Sequence, residues 1–116
     1  MMFDFEKLEV YKKAKLFNKK ILMYLNENKQ LDYFLKDQLK RASISIVINI
    51  AEGSGRFTKP DKKQFYVISR GSIFEVISLL EIILDKGLIA KDIFDNFYQK
   101  GEEISKMLLG LIKSLE

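Results

Sequence analysis

The sequence has no cysteine, no histidine, no tryptophan and a single proline in 116 residues. Each absence removes a class of chemistry. Without Cys or His there is no zinc finger, no nucleophile-base pair built on those residues and no imidazole general base. The di-metal centre of helical bundles goes too, because it needs Glu-x-x-His pairs. Charge of one sign is only mildly in excess: 20 Lys+Arg stand against 16 Asp+Glu, a net +4 that permits nucleic acid without demanding it. Long apolar runs are missing as well. The longest stretch without a charge, Ala42 to Ala51, is ten residues, about half of a bilayer crossing. The opening MMFDFEKLEV has no basic region leading into an apolar one, so no secretory signal is read there. A cytoplasmic protein that does not enter a membrane is the expectation.

What is present is enough for one domain. Hydrophobic residues make up 47% of the chain, and a chain of this size buries roughly two thirds of its unfolded surface without metal or disulfide staples. The charge surplus sits in the first half: residues 1–56 carry 11 basic and 7 acidic side chains, residues 57–116 carry 9 of each.

Breakers divide the chain into four segments. Gly53-Ser54-Gly55 reads as one helix ending on glycine, and Thr58-Lys59-Pro60-Asp61 as the next opening with Thr58 as N-cap and Pro60 in the first turn. Gly87 marks another boundary and Asn26 to Gln30 a softer one. The resulting helices, about 5–27, 31–53, 59–86 and 90–115, are each on the order of 35 to 40 Å long. Near-equal lengths and short links predict a single all-α domain, an up-and-down antiparallel four-helix bundle.

Periodicity supplies the core faces. Val10, Ala14, Phe17, Ile21 and Leu25 form a stripe on the first helix; Ile93, Phe97, Gly101, Ile104, Leu108, Leu111 and Leu115 form one on the last. The third helix repeats Phe65, Ile68, Ser72, Val76, Leu79 and Ile83 but carries Val67, Phe74, Ile77, Leu80 and Leu84 on its other faces. A helix apolar nearly all round is buried on more than one side. The second segment places isoleucine at every second position from Ile44 to Ile50, the pattern of a strand. We read it as helix, because Leu31 to Glu52 contains no Gly or Pro and no other segment offers a partner strand.

On that helix Gln38, Arg41, Ser45, Asn49, Glu52 and Arg56 fall within an arc of about 80°, between an apolar wall of Leu35, Leu39, Ala42, Ile46 and Ile50 and a second of Ile44, Val47, Ile48 and Ala51. The seam is either a solvated strip or a hydrogen-bond network covered by core and neighbour. Ile44, Val47, Ile48, Ala51, Phe74 and Ile77 are the candidate surface for association between copies. Glu52 and Arg56, four residues apart, are placed to pair; Glu52 and Glu75 are otherwise expected to hold Arg41, Arg56 or Arg70 across helices. On the first helix Lys12, Lys13, Lys15, Lys19 and Lys20 span about 160° opposite the core stripe. They are the candidate phosphate-binding face, though a merely solvated helix displays lysines in the same way. No catalytic, metal or cofactor site is read from the residues: GSGR at 53–56 lacks the P-loop spacing, and Asp92, Asp95, Glu102 and Glu103 fit surface solubility.

The stretch QLKRASISIVINIAEGSGR at 38–56, followed by Phe57, Gln64-Phe65 and SRGSIFEVISLLE at 69–81, resembles the bacterial family of 23S rRNA intervening-sequence proteins. The family pattern is met by Gln38, Arg41-Ala42, Ser45-Ile46, Asn49 to Gly53, Arg56, Arg70-Gly71-Ser72 and Glu75, with Ser69 where alanine is usual. The resemblance implies a four-helix bundle that assembles into a ring, commonly a homopentamer. It also implies likeness to the accessory variability protein of diversity-generating retroelements, a basic pentameric barrel associated with nucleic acid. No catalytic role, cofactor or small-molecule substrate comes with it; the expected partners are further copies and RNA or another nucleic acid, the alternative being a structural module that meets a protein partner and binds no nucleic acid. In a ring, Gly71 and Ser72 become points of close approach.

Overall fold

The computed structural model describes residues 2–116. A short 3-10 turn at Asp4–Lys7 precedes four helices: α1 (Glu9–Glu27), α2 (Tyr33–Ser54), α3 (Lys59–Asp85) and α4 (Lys91–Ser114). Each helix packs on its chain neighbours and α4 closes back on α1, giving an all-α, up-and-down antiparallel bundle. Among the described residues there is no strand, and no helix is long and apolar enough to cross a membrane.

The ends of the helices follow local chemistry. Asp32 opens α2 by accepting the Leu35 amide at 2.9 Å, and Thr58 opens α3 by accepting the Asp61 amide at 3.3 Å, with Pro60 in the first turn. Gly87, at φ 73°, ends α3: its amide donates to the Leu84 carbonyl and that of Leu88 to the Ile83 carbonyl, the Schellman pattern that needs a left-handed residue. The end of α2 is different from the sequence reading. The helix runs through Gly53 and Ser54, and Gly55 caps it at φ −87° without using left-handed freedom. Gly53 has another reason to be glycine, taken up below.

The core lies between all four helices. The α1 stripe is buried at all five expected positions, and on α2 Leu35, Leu39, Ala42, Ile46 and Ile50 are buried as expected. The alternating isoleucines of α2 resolve cleanly: Ile46 and Ile50 are at 0% exposure while Ile44 and Ile48 stand at 36% and 48%. Residues two apart on a helix lie about 200° around it, so a helix with one wet side reproduces a strand's alternation over a short stretch. On α3 the expected face is displaced. The buried residues are Tyr66, Ser69, Ser72, Ile73, Val76, Leu80 and Ile83, whereas Ile68 is exposed and Phe65 and Leu79 are half-buried. On α4, Ile93 is exposed and Phe94 buried in its place, and Leu111 and Leu115 are half-buried.

Two serines explain how α3 turns this face inward. Ser69, fully buried, donates its hydroxyl to the Ile46 carbonyl of α2 at 2.8 Å, and Ser72 lies 2.8 Å from Ser45. A buried hydroxyl costs little when it is bonded. Ser69, in sequence only a departure from the family pattern, is therefore a tie between the two central helices. Ser69→Ala is expected to destabilise the chain by about 1 kcal/mol, the net worth of one hydrogen bond, and urea denaturation measures it.

Candidate nucleic-acid face and assembly surfaces

The five lysines of α1 do not form one face. Lys12, Lys15 and Lys19 line a shallow concavity with Leu16, Asn18, Leu22 and Met23. Lys13 and Lys20 lie across Leu16, in the crease between α1 and α4 with Lys100 and Glu103. Lys13 is held there by Glu103 at 2.7 Å, a pairing that pushes the lysine pKa up and the carboxylate pKa down, chiefly through the hydrogen bond between them. Lys12 pairs with Glu9 at 3.2 Å. Among the described residues Lys15, Lys19 and Lys20 have no acidic partner. All five are exposed, and Leu16 and Met23 stand half in water beside them.

The polar seam is three structures in place of one. Its centre is a network between α2 and α3: Asn49 donates its side-chain amide to the Ser45 carbonyl at 2.8 Å and to the Ser45 hydroxyl at 3.0 Å. That hydroxyl meets Ser72, which in turn lies 3.1 Å from the Ile68 carbonyl. Its ends are pairs within one helix or its final turn. Arg41 donates to Asp37 at 2.9 Å, which pushes the arginine pKa up through hydrogen bond and charge. Arg56 sits 3.6 Å from Glu52 and lays its guanidinium 4.4 Å from the centre of the Phe65 ring. Gln38 is half-buried without a hydrogen bond to another described side chain. The i, i+4 pairing of Glu52 with Arg56 is present, whereas the expected ties across helices are corrected: among the described residues Glu52 reaches no other helix, Glu75 is exposed and pairs with no arginine, and Arg41 uses Asp37.

Arg70 is turned the other way, into a groove between α3 and α4 lined by Phe74, Ile77, Tyr98, Gly101, Glu102 and Lys106 among others. Its guanidinium lies 4.8 Å from the centre of the Phe74 ring. Its Nε is buried and has no hydrogen-bond partner among the described residues. An unpaired buried donor of this kind costs about 1–3 kcal/mol.

Of the candidate association residues, Ile44, Ile48 and Phe74 are exposed, Phe74 at 56%. Ala51 and Ile77 are half-buried, Ile77 because it packs against Gly101 of α4. Val47 does not belong with them. At 8% exposure it is part of the chain's own core. It lies one turn beyond Ser43, whose hydroxyl donates to Asn18 of α1 at 2.8 Å, so this flank of α2 faces α1. Ser43 itself carries no sequence signal, and only a bonded partner on another helix makes its burial legible.

The glycines divide in an order that the sequence does not show. Gly71 is exposed, with nothing within 4 Å of where a Cβ would sit, so no close approach exists there within one chain. The close approaches are at Gly53, where a Cβ would lie 2.8 Å from Cε1 of Tyr66 and 3.1 Å from Cβ of Phe65, and at Gly101, 3.0 Å from Cδ1 of Ile77.

Elsewhere, Tyr24 and Asn28 both donate to the Leu88 carbonyl, at 3.0 and 2.7 Å, clamping the far end of the bundle. Burial raises the pKa of Tyr24 and of Tyr66. Among the described residues there is no group of three or more His, Cys, Asp or Glu able to hold a metal ion.

Comparison with known proteins adds three findings. A family model described as 23S rRNA-intervening sequence protein matches residues 6–110. A solved structure of a protein of unknown function from the S23 ribosomal protein family of Bacteroides thetaiotaomicron VPI-5482 superposes with a TM-score of 0.84 at 24% identity, covering 90% of this chain and 98% of that one. No curated protein matches the chain.

Proposed function

This chain belongs to the family of 23S rRNA-intervening sequence proteins, and on that premise we propose that it works as a self-assembled ring of identical copies, five in the resemblance, that binds structured RNA through phosphate contacts. The observation that carries the RNA reading is the cluster of Lys12, Lys15 and Lys19 around one open concavity, two of them without an acidic partner among the described residues. Lysines on an exposed helix neutralise phosphates without reading bases. The aromatic side chains of α1 are poorly placed for stacking: Phe17 is buried and Tyr11 and Tyr24 are half-buried, so unpaired bases gain little here. A ring repeats the lysine cluster once per copy, and linked weak sites bind far more tightly than one. The reading is non-enzymatic, free of cofactor and metal, and cytoplasmic.

A salt titration of binding to a hairpin RNA tests it. Affinity is expected to fall steeply with salt, and the logarithmic slope to shrink by about 0.7–0.9 for each phosphate that a substitution leaves without its lysine. Lys12→Glu/Lys15→Glu/Lys19→Glu is expected to reduce both slope and affinity, the affinity by about a hundredfold at low salt, given the slope law and the added repulsion. Absence of binding by the unaltered chain at low salt refutes the RNA reading and favours the alternative, a structural module that presents its surface to a protein partner.

A further inference from the structure

We propose that α2 of one copy seats in the groove between α3 and α4 of the next, so that the assembly runs head to tail. The inference rests on the self-association proposed above and specifies which surfaces meet. Two uncovered apolar surfaces sit on different helices of one chain: the α2 ridge bearing Ile44 and Ile48, and a groove of about 560 Å³ that includes Arg70, Phe74, Ile77 and Tyr98, its floor opened by Gly101. A two-fold pairing of ridge with ridge leaves both grooves bare, and groove with groove leaves both ridges bare. Ridge into groove covers both kinds of surface with one heterologous interface, which closes into a ring when the rotation between copies divides a full turn.

The levels along the bundle fit this pairing. Ser45 lies beside Ser72 and Ser69 donates to Ile46, which puts Ile44 and Ile48 at the level of Phe74 and Arg70. Gly101 against Ile73 and Ile77 brings Glu102 and Lys106 of α4 to that level as well. The pairing takes the ring axis parallel to the bundle; rotation about such an axis moves nothing along it, so neighbouring copies keep these levels. Lys40 and Arg41 of the ridge then fall between Glu81 and Glu102 of the groove. Glu52 falls about 9 Å, along the axis, from Arg70 and Lys106, a gap that long side chains span. Asp37, the ridge carboxylate at the level of Glu81, is already held by Arg41. The groove also contains what the chain leaves unfinished: Arg70 has no carboxylate partner among the described residues, and its Nε is unbonded. Glu52 is held only loosely in its own chain, 3.6 Å from Arg56 against the 2.9 Å hydrogen bond that ties Asp37 to Arg41, so a copy bringing Glu52 supplies the missing acid, and charge complementarity of this sort fixes which faces meet.

The chain has no cysteine of its own, which makes crosslinking unambiguous. Ile44→Cys and Phe74→Cys are made in separate chains, both at exposed positions, and treated with a short bismaleimide. Co-expressed, the two are expected to crosslink into dimers, while either alone remains a single chain on a denaturing gel. Dimers from Ile44→Cys alone, or from Phe74→Cys alone, overturn the pairing in favour of like-with-like association. No crosslink in the mixture, with the unaltered protein multimeric by mass, overturns it in favour of other surfaces. A monomeric unaltered protein instead overturns the self-association on which the inference rests.

Discussion

Ile46→Asp is expected to leave no cooperatively folded protein, while Ile48→Asp, two residues on, is expected to keep its helix content and separate the copies from one another. Ile46 is fully buried beside the carbonyl that accepts from Ser69. Replacing it removes a core side chain, at about 2–5 kcal/mol, and places a carboxyl group where no donor is available, which adds several more. The sum is comparable to the whole stability of a domain this size, about 5–15 kcal/mol. Ile48, at 48% exposure, leaves its chain's core untouched, and an aspartate there finds water in the monomer. Its effect falls on association, because the shorter, charged side chain forfeits the ridge's apolar contact with Phe74 and Ile77 and has to be desolvated at the interface. Far-UV circular dichroism with urea denaturation reads the first variant. Sedimentation reads the second, with loss of the multimer as the expected result. An Ile48→Asp protein that is unfolded places that side chain in the core and contradicts the fold; one that keeps the multimer contradicts the assigned surface.

Gly53→Val is expected to destabilise the chain by about 3–5 kcal/mol, in the range of the larger overpacking effects. A Cβ at this position meets the Tyr66 ring at 2.8 and 3.0 Å and the Phe65 Cβ at 3.1 Å. Tyr66 is itself buried and cannot swing outward without opening the joint between α2 and α3. Phe65 offers no flexible end either, since the atom approached is its Cβ. Gly71→Ala is the control on the same pair of helices. It meets nothing within 4 Å, so helix propensity governs and the isolated chain is expected to gain about 1 kcal/mol. Urea midpoints moving in opposite directions for the two variants confirm the distinction; equal losses refute it.

The contrast between Gly53 and Gly71 also marks how far the sequence can be read. Four helices, their caps at Thr58 and Gly87 and the α1 core stripe are legible, because each depends on residues within one or two turns of each other. The inward face of α3 is not. A helix apolar nearly all round has no single periodic face, so its orientation is decided by what α2 offers: the Ile46 carbonyl for Ser69 and the Ser45 hydroxyl for Ser72. Val47 falls on the wrong wall in sequence for a related reason. Its type suits either wall, and only the Ser43 to Asn18 hydrogen bond reveals that this flank of α2 faces α1. For the candidate site the structure gives placement alone. The lysines and the seam residues are all polar or exposed in the expected way, but Leu16 divides the lysines and Arg70 faces away from the seam.

The same physics explains why a motif so regular in sequence has so little chemistry in it. Ser45, Asn49 and Ser72 satisfy one another across α2 and α3, Arg41 and Arg56 are held close to home, and Gly53 admits Tyr66. These residues build the central helix pair and set its register. What they leave over is an apolar ridge, a groove floored by Phe74 and Ile77, and in it an arginine without an acid among the described residues, all at one level of the bundle.

The central claim is that this surface is covered by other copies. The mass of the unaltered protein in solution, by sedimentation equilibrium at micromolar concentration, tests it most directly. A closed multimer several times the 13.6 kDa chain is expected, with five copies the number carried by the resemblance. A single species at the mass of one chain, with Ile44, Ile48 and Phe74 left in water, contradicts it.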